Sequence, residues 1–293
     1  MRPGSRFPPV LVGVDGTDLA ETAARAGADE AQRRLLPLRL LRVFDWPVGG
    51  AAGPGGSPVR RAAREAAEDH LQRLRRRLAA THPGTRVEAA LVDGRPADVL
   101  LAEAPDADLL VLGAHGPGPL AGVVGAVRAT VIRQSPRPVL SAAAAPVLGH
   151  HGCPVVVGVD TGDPADVAEL LRTAALEAST RSCDLRVVEL RPGPEREEGP
   201  DLPAAVGRLQ ATAPGVRMRL EVTGDPAGLP ARGQADGAQL LVVGRRAPAG
   251  PLSASVRAAV SQSAVPALVV PLPPAPQGAT VRALAGSVAR PPG

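Results

Sequence analysis

Val10-Leu-Val-Gly-Val-Asp15 and Val155-Val-Val-Gly-Val-Asp160 are the same segment written twice in a chain of 293 residues. Each is a short β-branched run that closes on an acid, the pattern of a buried strand delivering a residue to the carboxyl edge of a parallel sheet. Three further segments recur in the same order. Leu38-Arg-Leu-Leu-Arg-Val43 returns as Leu185-Arg-Val-Val-Glu-Leu190. Gly94-Arg-Pro-Ala97 returns as Gly224-Asp-Pro-Ala227, each after a strand-like run (Arg86 to Val92, Val216 to Val222) and before a short helix. Asp108-Leu-Leu-Val-Leu-Gly113 returns as Gln239-Leu-Leu-Val-Val-Gly244, followed downstream by Pro138-Val-Leu140 and Pro266-Ala-Leu-Val-Val270. Ordered recurrence at domain-sized spacing implies two copies of one folding unit.

Helix-like stretches separate these strands. Asp18 to Leu36 carries Leu19, Ala23, Ala26 and Glu30 at helical spacing, and Val59 to Ala80 is dense in Ala, Arg, Glu and Leu. Strands alternating with helices predict an α/β fold: two tandem Rossmann-like domains, each a five-stranded parallel sheet with helices on both faces. The first domain is expected over residues 8–145 and the second over 153–272, with the break near Pro146 to Gly152. The second copy is shorter because its second helix is weak: Arg191-Pro-Gly-Pro-Glu-Arg-Glu-Glu-Gly-Pro200 reads as loop. Residues 273–293, rich in Pro, Ala, Gly and Arg, are expected to be disordered.

Composition narrows the function classes. The apolar content is Ala, Val and Leu, suited to helices on buried parallel strands. There is no lysine, the net charge is only +4, and the aromatics are Phe7, Phe44 and Trp46. A basic groove with stacking rings is therefore not expected, and nucleic acid is an unlikely partner by composition. Cys153 and Cys183 form neither a disulfide framework nor a zinc spacing, which predicts a reducing compartment. His150, His151 and Cys153 lie in a Pro/Gly segment without an acid, so no metal site is assigned. The first residues carry no apolar leader, and the stretch Pro138 to Val159 is broken by Pro146, His150, His151 and Pro154. A cytoplasmic protein without membrane contact is the expectation.

At Val10-Leu-Val-Gly-Val-Asp-Gly-Thr17, Val43-Phe-Asp-Trp-Pro47, Gly94-Arg-Pro-Ala-Asp98, Leu110-Val-Leu-Gly-Ala-His-Gly116 and Arg137-Pro-Val-Leu140 the first half resembles the universal stress protein family. The duplication is similar to the tandem members of that family, across roughly residues 8–271. The resemblance implies the adenine nucleotide alpha hydrolase-like version of the fold and a regulatory ATP site, with magnesium, in the first domain. It places Val14, Asp15 and Val43 toward the adenosine. Gly113, His115, Gly116, Gly125, Ala126 and Val127 fall near the phosphates, where glycines admit the backbone and a helix N-terminus supplies free N–H groups. Two departures stand out: the connection from Gly116 to Gly125 is one residue short, and Ala126 replaces the hydroxyl residue of the family pattern. In the second half Ala247 stands for the second glycine and Leu252-Ser-Ala-Ser255 replaces the closing one, so no nucleotide is expected there.

Alternatives sit beside these readings. Asp15 and Asp160 either orient a ligand or cap the next helix, and Asp160 reads as a cap. His115 either contacts phosphate or sits in a solvated loop. Arg128 either forks toward the phosphates or, as the simpler reading, is a solvated helix-surface residue. Arg73, Arg75, Arg76 and Arg77 read as a solvated helix face. No Walker lysine, Gly-x-Ser-x-Gly elbow or HExxH motif is present, so no catalytic residue is nominated, although slow ATP hydrolysis needs only a poised water. The competing function is a non-binding interaction scaffold, two degenerate domains paired through their last strands, with a homodimer as a further assembly. The discriminating feature is whether Pro117 or Pro119 fills the cleft beside Asp15.

Overall fold

A computed structural model describes residues 7–46, 58–113, 121–143, 152–190, 201–223, 228–230, 237–246 and 252–272. The first half runs β1 (Val10–Val14), α1 (Asp18–Arg34), β2 (Leu38–Phe44), α2 (Pro58–Thr81), β3 (Val87–Asp93), α3 (Pro96–Glu103), β4 (Leu109–Leu112), α4 (Ala121–Gln134) and β5 (Val139–Ser141). The second half runs β6 (Val155–Val159), α5 (Pro164–Thr180), β7 (Leu185–Leu190), α6 (Leu202–Thr212), β8 (Met218–Thr223), β9 (Leu240–Arg246), α7 (Ala254–Gln262) and β10 (Ala267–Leu272). The second copy does form a second helix, α6, after the stretch read as loop, and it is less than half the length of α2. The stretch 191–200 itself, the segment 144–151 and the tail 273–293 lie outside the described residues.

The strands form one sheet in the order β3-β2-β1-β4-β5-β10-β9-β6-β7-β8. Every pairing is parallel except β5 with β10, where Val139, Leu140 and Ser141 run antiparallel to Val269, Leu268 and Ala267. The halves thus meet strand to strand, and neither last strand is left as an open edge. Alternate residues of each central strand serve opposite faces. Val10, Val12 and Val14 join one core with α1, α2, α5 and α6, while Leu11 joins the other with α3, α4 and α7. Because both faces are covered, β1, β4 and β6 read as continuous apolar runs.

Caps fix the helix starts. Thr17, not Asp15, is the N-cap of α1: its Oγ1 accepts from the Ala20 N–H at 3.3 Å. Asp163 caps α5, accepting from the Ala165 N–H at 2.8 Å and the Asp166 N–H at 3.4 Å. The expectation that Asp160 is the cap is therefore corrected: four residues, 160–163, separate β6 from α5, and the acid at the end of this connection does the capping. At the far end of α1, Leu35 adopts a left-handed φ of 56° and is 90% exposed, its N–H reaching the Ala31 and Gln32 carbonyls. A Cβ is disfavoured there and its side chain is solvated, so Leu35→Gly is expected to stabilise the protein by about 1 kcal/mol. An increase in the urea midpoint at constant slope would establish this, and an unchanged midpoint would show that the left-handed turn carries no strain.

Candidate functional site

In a sheet of this order the chain reverses direction across the sheet between β1 and β4, and crevices form at the carboxyl ends of strands flanking such a point. A cleft of about 750 Å³, including its open mouth, lies there. Five of the nine residues nominated from sequence line it: Val14, Asp15, Val43, Gly113 and Val127. They arrive from four elements, the ends of β1, β2 and β4 and the body of α4. Gly125 and Ala126 are described but are not among the cleft's lining residues; Ala126 is exposed. His115, Gly116, Pro117 and Pro119 lie outside the described residues.

One wall is apolar, built from Leu41, Val43, Leu100 and Leu112. Gly13 opens the floor: a Cβ built on it would come within 3.0 Å of Leu112 and 3.3 Å of Leu100. Opposite stands the turn Asp15-Gly16-Thr17, where Asp15 Oδ1 accepts from the Thr17 N–H at 2.9 Å and the Thr17 hydroxyl at 2.7 Å. Gly16 permits the turn with φ +93°, and a Cβ there would lie 2.9 Å from Arg42 Nη2. Burial lowers the Arg42 pKa and the Asp15 carboxylate partly offsets that, so a cation is held beneath the acid of the cleft. Arg42, Thr17 and Leu100 were not singled out from sequence. The signal for Arg42 was its place in β2 directly across from Val14 of β1.

Arg128 overturns its surface reading. It is only 7% exposed, lines the cleft, and Nη1 donates to the Ser141 hydroxyl of β5 at 3.4 Å. The reason is helical spacing: Val131 and Ile132, three and four positions on, are fully buried, so Arg128 shares their inward face. Burial pushes its guanidinium pKa down, the cost of holding a cation away from water. On α2, Arg73, Arg76 and Arg77 are exposed as read, with Arg77 paired to Glu21 at 2.6 Å, whereas Arg75 is half-buried and donates to Gln72 Oε1 at 2.8 Å.

At the corresponding strand ends of the second half, apolar side chains and local bonds engage one another. Leu229 and Leu190 pack over Gly158, where a Cβ would come within 2.5 Å and 3.0 Å of them. Asp160 accepts from the buried Ser255 hydroxyl. Arg246 donates to Asp166 at 2.6 Å and Thr161 at 3.0 Å, so the acids near this turn are engaged within the half. Among the described residues no cluster of three or more His, Cys, Asp or Glu side chains could hold a metal. No described helix is long and apolar enough to cross a membrane.

The model of the universal stress protein family matches residues 6–142. A curated universal stress protein of Mycobacterium tuberculosis is 35% identical over 184 residues, which is 61% of this chain and 63% of that protein's length. The match therefore spans less than two thirds of that relative. A universal stress protein from Archaeoglobus fulgidus has a similar structure, with a TM-score of 0.71 at 16% identity over 90% of this chain and 96% of that one. Another from Pseudomonas aeruginosa has a TM-score of 0.58 at 20% identity, over 91% and 94% of the two chains. At these identities the structural likeness establishes the fold.

Proposed function

Since the chain belongs to the universal stress protein family, we propose that its first half binds an adenine nucleotide, ATP with magnesium, as a regulatory ligand in the cleft at the carboxyl ends of β1 and β4. The observation that carries the reading is the pairing, in one crevice, of an apolar wall with a buried guanidinium and an exposed carboxylate. The three parts suit the three parts of a nucleotide. Leu41, Val43 and Leu100 offer the purine a dry face. Asp15 keeps lone pairs beyond the two bonds it receives from Thr17, enough to accept from a ribose hydroxyl. Arg128 presents a planar cation suited to phosphate oxygens. Magnesium on this reading is carried by the phosphates rather than by a protein cage. The ligand regulates rather than reacts: bound nucleotide alters what a protein partner meets in the cytoplasm. In the second half the Ser255–Asp160 bond engages the acid that corresponds to Asp15, which argues against a second nucleotide.

Calorimetric titration with ATP and magnesium is expected to give one site per chain. Arg128→Gln removes the charge but keeps a donor, and is expected to weaken binding by roughly 10- to 100-fold, the cost of one charge-assisted bond. Adenosine should bind the wild type and the variant alike. Wild-type protein that shows neither heat nor thermal stabilisation at millimolar ATP would sink the nucleotide reading in favour of the scaffold.

A further inference from the structure

Arg245 stands at the carboxyl end of β9, directly after Gly244, the counterpart of Gly113 in the repeat. Its neighbour Arg246 turns back into its own half, to Asp166 and Thr161. Arg245 turns the other way. Nη1 donates to the Arg133 carbonyl at 2.7 Å and Nη2 to the Ser135 carbonyl at 2.6 Å, so one planar fork spans the C-terminal end of α4 in the first half. The side chain is buried at 7% exposure, and burial lowers its pKa.

The final carbonyls of a helix lack intrahelical partners and carry the negative end of its dipole, so a cation delivered there is held by both effects. α4 is the helix that brings Val127 and Arg128 to the cleft. Its middle is tied to β5 by Arg128 and Ser141, and its end is tied to the second half by Arg245. Ser141 in turn pairs across the junction with Ala267 of β10. The position of one cleft wall therefore depends on a residue of the other half. We propose that Arg245 is a positioning residue for the first-half cleft: the carboxyl end of β9 acts through it as a clamp on α4 and sets the geometry with which Arg128 meets an anionic ligand. The ligand part of this inference rests on the nucleotide reading above, whereas the clamp on α4 does not.

The test uses the full chain with Arg245→Met, which keeps the apolar stem and removes the fork, and Arg245→Lys, whose single ammonium reaches only part of the site. Two readouts are taken: hydrogen exchange of the amides of α4, with α7 as the internal reference, and ATP affinity by calorimetry. Loss of the fork is expected to speed exchange in α4 about tenfold relative to α7 and to weaken ATP binding by a similar factor, with the Lys variant intermediate in both. Unchanged α4 exchange in both variants overturns the clamp, whatever ATP does. Faster α4 exchange with unaltered ATP affinity overturns the link to the cleft and leaves Arg245 as an ordinary inter-half contact. Faster exchange in a protein whose wild type binds no ATP supports the clamp and refutes the nucleotide reading alone. Should the Met variant not fold, the Lys variant decides by the same two readouts.

Discussion

Glu30→Ala is expected to lower the unfolding free energy by about 3–5 kcal/mol, the range for removing one member of a buried ion-pair network. Glu30 and Arg34 lie one turn apart near the end of α1, and Glu177 and Arg181 are spaced in the same way at the end of α5. Each arginine bonds the glutamate of its own helix and the glutamate of the other half. The side chains of Glu30, Glu177 and Arg181 are only 4–6% exposed, so an arginine deprived of Glu30 cannot recover its hydration. Arg33, at 2.9 Å, would also lose its partner on Glu30. Replacing all four quartet members by apolar residues of similar volume should cost far less than the single change, because no charge is then stranded. Urea denaturation of the two variants separates the cases. A loss below about 1 kcal/mol for Glu30→Ala would mean that the quartet is hydrated and does not hold the halves together.

The same network sets an acid limit. Burial alone would raise the Glu30 pKa, but Arg181, Arg34 and Arg33 outweigh it and hold the carboxyl below its ordinary value of 4.5. A group whose folded pKa is depressed contributes its full stabilisation above the unfolded pKa and loses it as pH falls through the folded one. Stability of the wild type is therefore expected to decline below about pH 4.5. The quadruple apolar variant should lose less over the same interval.

Gly27→Leu is expected to be the most damaging change on a helix face, at about 3 kcal/mol or more. Helix propensity alone would favour replacing this glycine, by about 1 kcal/mol for alanine. Packing decides the sign instead. A Cβ on Gly27 would sit 2.4 Å from Val12 Cγ2, on a central strand whose Val12 is fully buried and cannot give way. α1 must then lift from the sheet, and its first turn carries Leu19 and Ala20, which line the cleft. Even Gly27→Ala should destabilise, with weaker nucleotide binding as a secondary effect on the proposed reading. A neutral or stabilising alanine at this position would show that α1 can move away from β1 at no cost.

Much of the fold could be read from the chain because the information is local and repeated. The paired segments ending at Asp15 and Asp160 became β1 and β6, flanked in the sheet by the strands that their neighbours in the repeat predicted. The resemblance placed Val14, Asp15, Val43, Gly113 and Val127 in one site, and strand-end geometry gathers them in one cleft. Asp160 was misread because local spacing could not choose between two acids, and Asp163 stands one residue before the helix. Arg128 was misread because an arginine in an Ala/Val-rich helix looks solvated until the inward face is fixed by Val131 and Ile132.

By itself, then, the sequence determined the alternation of strand and helix, the two faces of each strand and the residues sent to the carboxyl edge of the first half, since these depend on periodicity and short-range sterics. Only the tertiary structure decided how the halves act on each other. The antiparallel β5–β10 junction turns one half over relative to the other, and that brings the ends of α1 and α5 together into an ion-pair quartet and carries Arg245 to the end of α4. Such partners lie more than a hundred positions apart in the chain. No local pattern encodes them, because their pairing exists only once two separately built cores have docked.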